Sequence, residues 1–437
     1  MTPPDKWWLA FSNPELSRLI RRSLEGNLGL RQAWSRMRQA GFLFQQSKSD
    51  LYPGLEAQAS KSYTRQHRQN PPLGGEQESS SQSASLGLTT RYEIDLWGRI
   101  RARKEARSLE WNATRQELQA AALSLSGQVA AQWIGLISLE TRIGLLQKQR
   151  ELRRQLLELT RYRFANGQAN GVDVLQQQES LALVHSRLPD LRSGKAEALH
   201  GLKVLLGLPP EASLEIKTRD LPDLPRVPQP GLPADLLSRR PDIQASWLRL
   251  LAADWEVSAS RAARLPRLTL SADPRLFADK AKDLLNNWLL ELAGSLSVPL
   301  VDGGERILEV KRRQAVAEER LAAYRETVLT ALQEVENALV RISENRNKRR
   351  SLAQELEAAR QSLRQFRYRY SNGIATYFDV LSQRIAVLEL QRGLLQAKTD
   401  GLLRRIDLYK ALGGDWPESL LSRQNGSEHG KRHASAD

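Results

Sequence analysis

Alternating apolar and polar residues mark four short segments of the chain. Apolar residues take most of the alternate positions in 55–63 and 84–96, and the same period returns in 268–272 and 290–300. This is the period of a β-strand with one apolar face. A loop rich in Ser, Gln, Pro and Gly, at 67–83, separates the first two segments. The pattern predicts two β-hairpins whose strands are about 10 residues long.

The segments that follow the two hairpins have the spacing of long helices. Residues 97–164 contain no Pro and no loop signal, and apolar residues step by four and three along them. Residues 303–370 repeat this pattern with a more regular seam. Such a seam is typical of a coiled coil, and each helix would be about 100 Å long. A second helix follows each one, and Pro189 is expected to interrupt and kink the first of these.

One motif occurs twice. The chain reads YRFANGQANGVDVL at Tyr162–Leu175 and YRYSNGIATYFDVL at Tyr368–Leu381, an offset of 206 residues (368 − 162 = 206). The same offset carries Gly98 onto Gly304. Because Gly supplies a left-handed helix cap, each copy predicts the tight tip of an antiparallel helical hairpin. The chain is therefore two repeats, although a coiled-coil hairpin in a structural protein would fit the tips as well.

The amino-acid composition limits the kinds of chemical site and the classes of function that the chain can have. The chain of 437 residues has a formal net charge of +15, which raises nucleic acid or an anionic membrane surface as partners. It has no Cys, so disulfides and thiolate sites are excluded, and its 5 His lack convincing metal spacing. No phosphate loop or nucleophile–base set is present, so an enzyme is the least favoured class and no cofactor is expected. No run of 18 apolar residues and no signal peptide is visible.

The length of the predicted strands points to a membrane. Strands of about 10 residues with one apolar face match tilted transmembrane strands, although a soluble four-stranded sheet could show the same pattern. The helices are too long merely to cover such a sheet. A sheet in lipid must close, and four strands cannot close by themselves, so several chains would share one barrel. This arrangement favours a conduit rather than a catalyst.

Several stretches together resemble a known family over residues 7–416. They are WWLAFSNPEL (7–16), YEIDLWGR (92–99), KVLLGLPP (203–210), LPADLLSRRPDI (232–243), SVPLVDGG (297–304) and the two tip motifs. The chain resembles outer-membrane efflux proteins of the TolC type, in the OprM/NodT branch. The resemblance implies an α+β membrane protein with two internal repeats. Its homotrimer would combine a long coiled-coil α-barrel with a transmembrane β-barrel to which each protomer gives four strands.

The resemblance also implies a function and partners. We expect the outer-membrane channel of a tripartite efflux pump, a passive conduit that exports small toxic compounds. Its partners would be a periplasmic adaptor, an inner-membrane efflux transporter and outer-membrane lipid, with no nucleic acid and no cofactor. A type I secretion duct for polypeptides is an alternative in the same fold, which the RRPD segment disfavours. A cytosolic coiled-coil scaffold that binds nucleic acid is a third, which the four strands argue against.

The pattern and the resemblance together divide the chain into segments. The predicted segments are the N-terminal equatorial helices (1–50), the first β-hairpin (51–96), the first long helical hairpin (97–210, tip near 163–174), a connector with equatorial helices (211–264), the second β-hairpin (265–302), the second long helical hairpin (303–416, tip near 369–380) and a disordered tail (417–437).

The resemblance places function at the two tips. It implies a periplasmic entrance that docks the adaptor through Arg163, Asn166, Gly167, Arg369, Asn372 and Gly373. It also implies a gate formed by Asp379, its repeat partner Asp173, and Tyr370. Helix capping is an alternative explanation for both aspartates, and the two roles are compatible. Ala375 stands where the family has a gate arginine, and Ser382 stands where it has a second acidic residue, so the gating bonds would differ in part.

Three further features bear on the resemblance. In the RRPD segment, we interpret Pro241 and Asp242 as structural residues that open a helix. Members of the branch usually carry a signal peptide and an acylated Cys, which this sequence does not show ahead of Trp7. Either the numbering begins inside a precursor or the anchor is absent. Finally, the family's lumens tend to be acidic. This chain is basic, so we expect a less cation-selective entrance, with arginines at the tips: Arg161, Arg163, Arg364, Arg367 and Arg369.

Overall fold

The computed structural model describes residues 6–69, 76–227, 236 and 238–414. Its helices are α1 (Pro14–Gly26), α2 (Leu28–Ser49), α3 (Arg99–Ala165), α4 (Gly171–Leu205), α5 (Pro241–Ala262), α6 (Glu305–Ser371) and α7 (Tyr377–Ala411). Its strands are β1 (Gly54–Gln69), β2 (Glu76–Ile94), β3 (Arg267–Ala278) and β4 (Trp288–Ser297). Short 3₁₀ turns form at Trp7–Phe11 and Ala281–Asn286. The predicted disordered tail at 417–437 lies outside the described residues, and the division into seven segments stays a prediction.

The four strands form one antiparallel sheet in the order β1-β2-β3-β4. Its register aligns the apolar positions of all four strands on one face. Ala57 pairs with Leu88 between β1 and β2, Tyr92 pairs with Leu270 between β2 and β3, and Leu268 pairs with Leu296 between β3 and β4. We call this face the apolar belt; its members are Leu55, Ala57, Ala59, Ala84, Leu86, Leu88, Tyr92, Ile94, Leu268, Leu270, Ala272, Leu276, Trp288, Leu290, Leu292 and Leu296.

The first hairpin is longer than predicted. β1 has 16 residues and β2 has 19, so the prediction of a polar loop over 67–83 was wrong for 67–69 and 76–83, while 70–75 lie outside the described residues. On the face opposite the apolar belt, Ser60 pairs with Ser85 and Ser62 with Ser83, with hydroxyl oxygens 2.8 and 2.7 Å apart. Because the distal hairpin is polar on both faces, its sequence has no apolar alternation. The backbone hydrogen bonds between β1 and β2 that hold this part together cannot be predicted from composition.

The chain forms two compact units. The first contains Met1–Trp34, Gln116–Gln244 and Thr327–Asp437, and the second contains Ser35–Arg115 and Ala245–Glu326. The second unit holds the sheet. Its helical part is fastened by aromatic pairs, with the Phe44 and Trp111 rings stacked at 5.6 Å and the Trp247 and Tyr324 rings 5.3 Å apart.

In the first unit α3 is the central helix. Its residues Ile143 and Leu146 pack on Val184 and Leu188 of α4, and nearer the tip its leucines pack on Leu381 and Ile385 of α7. α6 lies against the other side of α7, where Asn345 Nδ2 donates to the Ala397 carbonyl at 3.0 Å. The helices of this unit therefore follow the order α4-α3-α7-α6.

Two helical features differ from the sequence-based expectation. α4 continues through Pro189 as one helix of 35 residues, so the predicted interruption was wrong. The packing of Val184 and Leu188 on α3 offsets the single hydrogen bond that Pro removes. In addition, one window of α3 is long and apolar enough to cross a membrane. That window is 61% buried inside the protein, which identifies it as core.

The N-terminal WW stretch anchors the first unit. Trp7 is fully buried, its indole Nε1 donates to Ser126 Oγ at 3.0 Å, and its ring stacks on Tyr409. Glu15 accepts from the backbone N–H groups of Lys217 and Thr218 at 2.8 and 3.1 Å. Burial alone would raise the pKa of Glu15, but these hydrogen bonds together lower it. The carboxylate therefore ties the connector to the first helix.

Candidate functional site at the hairpin tips

The two copies of the tip motif have the same backbone. In the first tip the Asn166 side chain donates to the Tyr162 carbonyl at 2.7 Å, and Gly167 has φ +71°. In the second tip Asn372 donates to Tyr368 at 2.8 Å, and Gly373 has φ +72°. Left-handed φ is a conformation that favours glycine, which explains Asn-Gly at both turns. Asn and Gly therefore have a structural role here that holds whatever the tip contacts.

A capping box begins the helix after each tip. Asn170 Oδ1 accepts from the Asp173 N–H at 2.9 Å, and Asp173 Oδ2 accepts from the Asn170 N–H at 3.0 Å. Thr376 and Asp379 make the same reciprocal pair, with backbone-to-side-chain distances of 3.3 and 2.9 Å. The capping interpretation of both aspartates is thus confirmed. Asn170 and Thr376 were missed by the sequence analysis, although the three-residue spacing to Asp is a capping signal.

Hydrogen bonds and nearby arginines favour the ionised form of Asp379 at the second tip. Hydrogen bonds from the side chain and backbone N–H of Thr376 lower the pKa of Asp379; slight burial opposes this, and the charges of Arg369 and Arg163 add to it. Arg163 belongs to the first tip, where its guanidinium also donates to the Gln168 carbonyl at 3.2 Å. The two tips are therefore close enough for charges on one to act on the other, and Asp379 stays ionised near neutral pH.

The remaining predicted gate residue lies beside a second tyrosine. The rings of Tyr370 and Tyr377 are 5.5 Å apart and tilted by 40°. At Ala375, one of the two departures from the family pattern, the backbone N–H donates to the Arg369 carbonyl at 3.3 Å. That bond is available to any non-proline residue and does not replace an arginine side chain.

The tips also expose apolar side chains. Tyr162, Phe164, Tyr368 and Ile374 are all at least half exposed. Exposed aromatic residues close to arginines are a composition enriched at protein interfaces. Their composition therefore suits contact with another protein. Among the described residues no cluster of His, Asp and Glu could hold a metal ion.

The RRPD segment lies away from the tips and is structural. Arg240 is buried and donates to Asp242 at 2.6 Å, to Glu334 at 2.7 Å and to the Ala411 carbonyl at 3.0 Å. Burial alone would lower the pKa of Arg240, but the two carboxylates together raise it. Pro241 is the first residue of α5, as predicted. The motif fastens the start of α5 to α6 and to the end of α7.

Comparison with known proteins agrees with this architecture. A model of the outer membrane efflux protein family matches residues 19–208 and 232–414. The pyoverdine export outer membrane protein OpmQ of Pseudomonas aeruginosa is 32% identical over 416 residues, which cover 94% of this chain and 87% of OpmQ.

Solved structures match over nearly the whole chain. The outer-membrane channel OprN superposes with a TM-score of 0.85 at 28% identity, covering 94% of this chain and 93% of OprN. The outer membrane protein VceC of Vibrio cholerae superposes with a TM-score of 0.84 at 26% identity, covering 95% of this chain and 100% of VceC. The α+β channel fold expected from the sequence is confirmed, and the chain belongs to the outer membrane efflux protein family.

Proposed function

We propose that this efflux protein works as a homotrimeric, passive outer-membrane conduit in a tripartite pump. The observation that carries the proposal is the apolar belt on a sheet with two open edges. Within the described residues β1 and β4 each pair with a strand on one side only. Open edges are not tolerated in lipid, so they must pair with other chains. Three chains of four strands would give a barrel of 12.

The height of the apolar belt fits a bilayer. On β2 it runs from Ala84 to Ile94, which is about 33 Å of strand at 3.3 Å per residue. Strands of membrane barrels tilt by about 40°, so the belt would span about 25 Å. That length matches the outward apolar band of outer-membrane barrels. The other face carries Glu56, Ser60, Arg91, Asp273 and Glu291, which suits a water-filled interior.

The helical edges support the same assembly. Leu308, Leu329 and Val340 lie on α6 and are each at least 60% exposed in the single chain. Large apolar side chains in a solvated coiled coil are unfavourable unless a neighbouring helix covers them. We infer that α6 of one protomer packs on a helix of the next, so that the α-barrel and the β-barrel close together.

We assign the tips to partner contact and gating. Arg163, Asn166, Gly167, Arg369, Asn372 and Gly373 would meet the periplasmic adaptor, and Asp173, Asp379 and Tyr370 would line the entrance. The exposed aromatic side chains and the arginines described above support a protein contact. The pump would be completed by an inner-membrane transporter, and the cargo would be small toxic compounds.

Membrane fractionation with unheated gel electrophoresis tests the conduit. We expect an outer-membrane species that migrates as a trimer and dissociates on heating. A soluble monomer that binds DNA at low salt would overturn the proposal and favour a nucleic-acid scaffold. A polypeptide duct makes a different prediction: loss of the gene would abolish secretion of a protein and leave resistance to small toxic compounds unchanged.

Single-channel recording tests the basic entrance. Tip arginines repel cations, so we expect the reversal potential across a salt gradient to show weak or no cation preference. The paired variant Arg163→Gln with Arg369→Gln should shift that potential toward cation preference. A strongly cation-selective unmodified channel would contradict this assignment.

A further inference from the structure

A groove between α6 and α7 concentrates positive charge. It belongs to the first unit and has a volume of about 800 Å³. Five cationic side chains line it, against the single carboxylate of Asp223; they are Arg346, Arg349, Arg350, Arg360 and Lys398. A groove of this size is typical of small-molecule sites.

The described carboxylates neutralise little of the positive charge of the groove. Among the described residues, none of its four arginines has a carboxylate within ion-pairing distance. Lys398 Nζ lies 3.5 Å from Asp223 Oδ1 and donates to the Leu221 carbonyl at 3.1 Å. The Asp223 side chain is fully exposed, so water screens its charge.

Some guanidinium groups here also lack hydrogen-bond partners. Among the residues that the structure describes, Arg349 Nε is buried without an acceptor. Arg405 on α7 does not line the groove, but its Nε and Nη1 are also buried without a described acceptor. Burial lowers the pKa of Arg405; the charge of Tyr409 opposes this and those of Arg349 and Arg346 reinforce it. A buried donor without an acceptor is unfavourable, and an oxyanion in the groove would accept a charge-assisted bond from Arg349.

Part of the groove wall is apolar. Leu224, Leu356, Leu394 and Leu395 line it together with the cations, and Leu356 is buried. A fully hydrated inorganic anion would leave the exposed parts of these leucines in contact with water. We propose that the groove binds an amphipathic organic oxyanion, whose phosphate, phosphonate or carboxylate meets the arginines while its apolar body covers the leucines. This inference goes beyond the conduit and does not depend on it.

Calorimetric titration of the purified full-length protein tests the site. The probe is hexylphosphonate, with methylphosphonate and hexyltrimethylammonium as comparisons, all at one ionic strength to hold screening constant. We expect saturable binding of hexylphosphonate, about tenfold weaker binding of methylphosphonate because the leucines lose contact, and no binding of the cation. Equal affinity for the two phosphonates, or no saturable binding, would overturn the proposal.

A matched pair of variants locates the binding. The double variant Arg346→Gln with Arg349→Gln should weaken hexylphosphonate binding at least tenfold, because two charge-assisted donors are lost. Arg325→Gln changes an exposed arginine elsewhere on α6 and should leave affinity unchanged. Unchanged affinity in the double variant, or equal loss in both, would place the anion elsewhere and refute the site. Retained helical circular dichroism shows that each variant is folded, as expected when like charges are removed.

Discussion

The helices α3 and α6 are equivalent in the repeat and opposite in environment. Both have 67 residues, and every bound of α6 lies one repeat offset after that of α3. Yet α3 buries 19 apolar side chains and α6 buries five. Helix-forming pattern and length therefore determine that a helix forms, whereas its neighbours determine what it buries. Because α3 lies in the core and α6 is largely exposed, the exposed face of α6 still needs a partner.

Truncation in the core of α3 should have the largest effect on the protomer. Leu146 is 1% exposed and packs between α3 and α4, so Leu146→Ala should lower the free energy of unfolding by about 2–5 kcal/mol. Denaturant unfolding followed by circular dichroism measures it. The same truncation at the exposed Leu329 of α6 should cost the protomer less than about 0.5 kcal/mol. Equal losses would erase the contrast between the helices.

A charge on the open edge of the sheet should be nearly as costly. Leu292 on β4 is 72% exposed in the single chain and lies in the apolar belt. Leu292→Arg would place a guanidinium in lipid and should destabilise the inserted state by about 2–4 kcal/mol. Refolding into lipid vesicles reports the change, with Ala293→Arg on the opposite face as control. Equal tolerance of both variants would contradict a lipid-facing belt.

A charge on the exposed face of α6 should act on assembly and not on the protomer. Leu329→Glu would bury a carboxylate against the neighbouring chain, so we expect trimer dissociation at a temperature lower by several degrees and unchanged protomer helicity. Heat-dissociation gels measure the first and circular dichroism the second. A trimer of normal heat stability would show that this face of α6 is not an interface.

The tips should respond alike to one glycine substitution. Gly167→Ala and Gly373→Ala should each destabilise their tip by about 1 kcal/mol, because both residues have left-handed φ while a Cβ would meet no atom within 4 Å. Amide exchange of the tip reports local opening. Gly194→Ala in α4 is the control: its Cβ would meet Leu139 at 4.0 Å, and the helix should gain up to about 1 kcal/mol. Unchanged amide exchange of the second tip in Gly373→Ala would contradict the left-handed turn geometry.

Acid should loosen the second tip slightly. The pKa of Asp379 is lowered in the folded tip, so its contribution is present above the unfolded pKa of about 4 and is lost as pH falls through the folded value. Thr376→Ala, which removes the cap, should cost about 1 kcal/mol at neutral pH. Amide exchange compared at equal pH with Asp379→Asn isolates the pH-dependent part. If the difference in amide exchange between the unmodified protein and Asp379→Asn is the same at pH 3 and pH 6, the pH dependence of the tip does not come from Asp379.

Local signals explain what could be predicted. The long helices were predicted to within two residues because unbroken heptad spacing and Asn-Gly turns are carried in adjacent residues. The distal part of the first hairpin was not predicted, since residues 76–83 are polar on both faces and are held by strand pairing. The cationic groove was also hidden, because Arg349 and Lys398 meet only when α6 folds back on α7.

The long first hairpin consists of two stretches that differ in their tolerance of length change. Between Ala84 and Ile94 a one-residue insertion would turn the apolar side chains of β2 on one side of the insertion to the opposite face. Between Glu78 and Ser83 both faces are polar, so such an insertion exchanges one polar side chain for another and costs little. Natural variation in length, and engineered epitopes, should therefore accumulate in the distal stretch. The proximal stretch should keep a fixed number of residues.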